Sequence, residues 1–262
     1  MTSRAMTNWS TRLLAGALLV WAVAPAVDAQ RGRGAGPAPA QSPQSSAPID
    51  LTGYWVSIVN EDWRWRMVTP GKGDVASVPL TPEGLKIAKG WDPATDGSCL
   101  AYGAAGLMRM PTRLHITWES DDRLKIETDA GLQTRLLLFD RTTAPPSAPS
   151  LQGLSIAEWE RPGAGRIGAG RAGGAAAPVG GHLKVFTTQL SAAWLRRNGV
   201  PYSAQTTMTE YFDRFATTGG DQWLIVTTVV TDPNYLTQDF VTSTHFRREP
   251  DGSKWDPSPC KP

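Results

Sequence analysis

The chain has 262 residues, enough for one sizeable core, with 26 basic and 24 acidic side chains. That near-neutrality excludes a dedicated nucleic-acid binder, which needs a basic excess gathered on one face. The pairs Arg64/Arg66 and Arg196/Arg197 are too small to change this.

The N-terminus reads as a signal peptide. Residues 1–12 carry Arg4 and Arg12 and no acid, 13–24 are apolar without charge, and Val27-Asp28-Ala29 offers small residues for cleavage after Ala29. The apolar run is shorter than the roughly 20 residues a membrane helix needs, so no stable span is expected after cleavage. Removing Arg4, Arg12 and Asp28 leaves 24 basic against 23 acidic residues. Residues 30–48 are Gly, Ala, Pro, Ser and Gln with two arginines, a composition that predicts a disordered linker. A single domain is expected over 49–262.

Within it, short runs rich in aromatic and β-branched residues predict strands at 51–59, 62–68, 112–119, 123–129, 132–140, 151–160, 182–190, 205–215, 222–231 and 240–248. Helix is scarce. Thr81-Pro82 is an N-cap with Pro at the first helical position, which predicts a helix over 82–89, and a second short helix is predicted over 191–198, ended by Gly199. Residues 161–181 are Gly, Ala, Pro and Arg without an acid, and predict a flexible insertion between two strands. Its Gly-x-Gly pieces lack the flanking strand and helix of a nucleotide fingerprint, so no cofactor is expected. The two cysteines, Cys99 and Cys260, predict one disulfide in an exported chain.

The hydrophobic pattern fixes one register. Leu114, Ile116 and Trp118 alternate with polar residues, as do Leu124 and Ile126, so a hairpin that buries both sets pairs Trp118 with Leu124 and Ile116 with Ile126. His115 then faces Glu127, with Gln133 or Arg135 of the next run beside it. On the outer wall this row would be solvated ion pairs. Lining a barrel interior, His115 would act as general base or acid, with Glu127 fixing its tautomer and Arg135 completing the row. The segment 62–67 reads similarly. As a strand it puts Trp63, Trp65 and Met67 on one face and Arg64 and Arg66 on the other. That is either core aromatics beneath solvated arginines, or an aromatic wall with a paired-arginine clamp for an anion. The eleven tryptophans are compatible with both.

Further along, Tyr211 and Asp213 share a face, and His245 lies on the last predicted strand; these are secondary catalytic candidates. The three histidines, His115, His182 and His245, fall on separate strands without metal-ligand spacing, so no metal site is expected. The absence of Gly-x-Ser-x-Gly excludes an α/β-hydrolase.

The segments DLTGYWVSIVNEDWRWRM, PTRLHITWESDDRLKIETDAG, GVPYS, TEYFDRF and DQWLIVTTVVTDPNYLTQDFVTSTHF resemble a group of exported β-rich bacterial proteins. Its members share a signal peptide, an LTGxW opening strand and a late DPxxLTxxF segment. The resemblance covers most of 50–255. The opening LTGYW also resembles the Gly-x-Trp that begins lipocalin barrels, which implies a barrel with a ligand cavity rather than a sandwich. The expected fold is therefore all-β, an antiparallel lipocalin-like barrel of roughly eight to ten strands with one or two short helices. The expected function is a periplasmic or secreted protein that binds a small, partly aromatic or apolar, possibly anionic molecule in the barrel. The rival reading is a lyase, isomerase or hydrolase using the same cavity.

Overall fold

The computed structural model of the chain describes residues 41–143, 148–161 and 180–262. The expected signal peptide, most of the linker and nearly all of the 161–181 insertion lie outside the described residues. In chain order the strands are β1 (Gly53–Ile58), β2 (Arg113–Ser120), β3 (Arg123–Thr128), β4 (Ala130–Gly131), β5 (Thr134–Leu138), β6 (Leu154–Glu160) and β7 (His182–Thr188). They continue with β8 (Ala193–Arg196), β9 (Val200–Tyr202), β10 (Thr207–Ala216), β11 (Gln222–Thr231), β12 (Phe240–Glu249) and β13 (Ser258–Pro259). The α-helices are α1 (Trp63–Arg66), α2 (Pro82–Gly90) and α3 (Ala104–Leu107).

Nine strands close a barrel in the order β1-β12-β11-β10-β7-β6-β5-β3-β2. β1 shuts the ring, pairing with β12 on one side and β2 on the other. Strand direction cannot alternate around a ring of odd number, so one junction must be parallel. It is β5 with β6, where Leu137 lies beside Ser155. The expected antiparallel barrel is thus a mixed one.

Period-two alternation fills the interior. Trp55, Ile116, Ile126, Leu137, Leu183, Phe212, Val226 and Phe246 are buried in one cluster, and each such side chain stabilises by about 1.5–3 kcal/mol. At the end where β2, β5 and β6 finish, Phe139 lies 5.5 Å from both Trp118 and Trp159. Here residues 41–48, expected in the disordered linker, are seated on the barrel. Gln44 N–H donates to the Asp121 carbonyl at 3.0 Å, and the Trp159 indole N–H donates to the Pro43 carbonyl at 2.9 Å. The opposite end is closed by a second cluster that includes Ala104, Leu195, Tyr202, Met208, Leu236 and Phe240. Between the two lies a polar layer in which Arg135 grips Glu210 with both Nη atoms, at 3.1 and 2.6 Å. Arg135 Nη2 also donates to Ser155 and Thr187, and neither charged side chain has solvent contact.

Three local expectations are corrected. Residues 62–68 are not a strand: the chain turns at Asp62, whose φ is 53°, and α1 follows. One helical turn reverses the faces, so Arg66 is buried whereas Trp63 and Met67 are exposed. Residues 191–198 are not a helix, because Gly199, at φ 73°, turns a hairpin between β8 and β9 that buries Ala193 and Leu195 in alternation. Finally, Gly131 and Leu132 take φ of 79° and 51° before β5, which shifts the parity of that strand by one. Thr134 therefore stands opposite Glu127, and Arg135, opposite Ile126, points inward.

The α2 helix starts as its sequence requires, with Thr81 Oγ1 accepting from Gly84 N–H at 3.2 Å. Among the described residues no helix is long and apolar enough to cross a membrane. Cys99 and Cys260 form the disulfide.

Candidate functional site

The β2–β3 hairpin has the register the hydrophobic pattern dictates, with His115 opposite Glu127 and Ile116 opposite Ile126. Because Leu114, Ile116, Leu124 and Ile126 occupy the interior, the His115–Glu127 row stands on the outer wall. His115 Nδ1 lies 3.4 Å from Glu127 Oε2, and Lys125 Nζ approaches the same oxygen at 3.1 Å. The imidazole stacks on the Tyr54 ring at 4.1 Å with the planes 3° apart, and Trp255 meets both edge-on. Arg135 has left the row for the interior, where Glu210 holds it.

The other catalytic candidates fall in two further places on the same outer surface. Tyr211 meets His182 edge-on at 5.5 Å, and Asp213 lies 3.9 Å from His182 Nδ1. His182 Nε2 is 2.8 Å from Glu160 Oε2, while Lys184 bridges Glu158 and Glu160. The Lys184 hydrogen bond, with that of His182, holds the Glu160 carboxyl below the usual carboxylate range. His245 is separate, its Nδ1 3.1 Å from Glu61 Oε2. His115, His182 and His245 do not converge, and the described residues contain no group of His, Cys, Asp or Glu able to hold a metal ion.

Of the expected ligand-binding residues, Trp65 and Arg66 meet new partners from distant segments. Arg66 pairs with Glu61 and donates through Nε to the Arg109 carbonyl at 2.8 Å. Burial lowers its pKa, with Glu61 opposing that effect. Arg109 pairs with Asp62 at 2.9 Å, and Arg64 with Asp74 at 2.9 Å. The Trp65 indole N–H donates to the same Asp74 at 3.1 Å. Trp63 faces solvent and is not part of this group.

A cleft of about 470 Å³ on the flank of the barrel has room for a small molecule. One wall is apolar, made by Val56, Ile58, Val59, Met67 and Pro111; Arg113, Asp129, Asp256 and Ser258 supply the polar side. Its floor is rigid. Asp129 accepts from Thr112 Oγ1, Arg113 N–H and Ala130 N–H at 2.7–2.8 Å, which fixes the turn after β3. Arg113 spans Asp129 at 3.5 Å and Glu249 at 3.0 Å. Asp256 and Ser258 belong to the C-terminal segment, held by β13 pairing with β4 and by the disulfide, around which Cys99 N–H donates to the Lys261 carbonyl at 2.8 Å. Sequence reasoning did not single out Val59, Pro111 or Asp256. Val59 ends a predicted strand and Pro111 and Asp256 lie in segments without periodicity; only the disulfide hints that the C-terminus returns to the barrel.

No protein-family profile, curated protein or solved structure matches the chain.

Proposed function

We propose that this chain is an exported small-molecule binding protein whose ligand lies in the flank cleft. The observation that carries this reading is the cleft itself. Its volume of about 470 Å³ falls within the range of small-molecule sites, and an apolar wall faces a few converging polar groups. The lumen is a poorer candidate, since Trp55, Phe212, Phe246 and their neighbours pack it. A ligand with a partly apolar body would lie against Val56, Ile58, Val59 and Met67 and turn its polar end toward Arg113 and Ser258. Export is supported by the disulfide, which persists in an oxidising compartment, together with the signal-like N-terminus.

The test uses 1-anilinonaphthalene-8-sulfonate, which has an apolar body and a charged end, followed by fluorescence. Wild-type protein should bind it saturably at one site. Val59→Trp, which puts an indole into the cleft, should abolish that binding while the circular dichroism spectrum stays native. Undiminished binding in this variant would remove the ligand from the cleft.

A further inference from the structure

The end of the barrel opposite the Trp118–Phe139–Trp159 cluster holds five guanidiniums, those of Arg64, Arg66, Arg109, Arg196 and Arg197. Three carboxylates lie among them, Glu61, Asp62 and Asp74, each already paired with Arg66, Arg109 or Arg64. Arg197 donates to the Arg66 carbonyl at 2.8 Å. Arg196 is different. It is 4 % exposed, yet Nε, Nη1 and Nη2 all lack a hydrogen-bond partner. Among the described residues no other buried side chain has three such atoms. Its guanidinium carbon lies 5.0 Å from the centroid of the Trp65 ring. Burial, then Arg109, pull its pKa down to about 10, so it carries its charge at neutral pH.

A buried charge without a hydrogen-bonding partner is costly, and a cation–π contact offsets only part of that cost. The surroundings indicate what would complete it. Arg196 borders a recess of about 10 Å³ whose walls include Trp65, Gly106, Arg109, Met110 and Leu195. That is room for about one water, so a halide, which is somewhat larger, would press the walls slightly outward. Water would satisfy the donors but leave the excess positive charge, whereas an anion accepts charge-assisted hydrogen bonds. A carboxylate or phosphate brings several heavy atoms and would have to displace the wall much further. Gly106 stiffens it: a Cβ there would lie 2.8 Å from the Trp194 carbonyl, so α3 sits tightly on β8.

We propose that Arg196 and this recess form a binding site for one halide ion, chloride under ordinary conditions, separate from the ligand cleft. The ion would receive hydrogen bonds from Arg196, lie near Arg109 and bring the barrel end closer to charge balance.

The test is chlorine-35 nuclear magnetic resonance of the full-length protein. Wild-type protein should broaden the chloride line, and bromide should reverse the broadening at equal ionic strength while acetate and phosphate should not. Arg196→Met should abolish the broadening with a native circular dichroism spectrum, and Val59→Trp should leave it intact. Absence of broadening in wild type would overturn the proposal. So would equal reversal by acetate or phosphate, which assigns the site to oxyanions, or broadening that persists in folded Arg196→Met. If Arg196→Met does not fold, bromide-soaked wild-type crystals decide: an anomalous peak beside the Arg196 guanidinium supports the site, and its absence there overturns it.

Discussion

Glu210 and Arg135 show how one residue's setting decides what it contributes. Two charges without solvent contact are costly to desolvate, and the pair is tolerated because both Nη atoms meet the carboxylate while Ser155 and Thr187 take further bonds. We expect Glu210→Gln to destabilise the protein by about 3–5 kcal/mol in urea denaturation, since it leaves a buried guanidinium uncompensated. The double replacement Arg135→Met, Glu210→Leu should restore most of that loss, because an apolar pair of similar volume suits the same interior. A single variant near wild-type stability would mean that water reaches the pair. His115 and Glu127 are the contrast. They face each other as their sequence spacing requires, but on the outer wall, so their pairing is weak and screened.

At the scale of elements, legibility follows how strongly one face is buried. The β2–β3 hairpin is legible from Leu114 to Trp118 because a one-residue slip would expose Ile116 and Ile126, but a shift between Trp118 and Ser120 sets Ser120, not Glu119, opposite Arg123 at its tip. The segment around Trp63 and Arg66 was not, since four residues of alternating Trp and Arg suit a strand as well as a single helical turn; the turn at Asp62 decides it. Gly199 suits a helix stop, but the same left-handed conformation also turns a hairpin, and here it does. Of the site residues, Trp65 and Arg66 stood out in the sequence. Arg109, Arg196 and the walls of the cleft did not, because they are joined only by the fold. The parity change at Arg135 arises in the turn at Gly131 and Leu132. A methyl on Gly131 would require φ of 79° and would approach Tyr102 Cδ1 to 2.2 Å, so Gly131→Ala should cost upward of about 1 kcal/mol in thermal or urea melts. A neutral result would show that the turn relaxes without losing register.

For the whole molecule, the disulfide and the ring closure both join early chain to late chain. Cys99 and Cys260 are 161 residues apart, and closing so long a loop stabilises by up to about 4–5 kcal/mol in the chain-entropy model. We expect Cys260→Ser to lower the unfolding midpoint and to loosen the cleft by freeing Asp256 and Ser258, seen as faster amide exchange over 256–262. Unchanged exchange there would mean that the β13–β4 pairing holds the tail alone. The ring itself has a consequence for a chain made from its N-terminus. β1 is the first strand of the barrel in chain order, yet one of its two partners, β12, is the last. Until residue 249 has emerged, the growing sheet remains an open strip with unpaired backbone along its rims, the kind of surface on which strands of other molecules add. Closure therefore cannot precede the synthesis of β12, and the exposed rims must be tolerated until that strand is made.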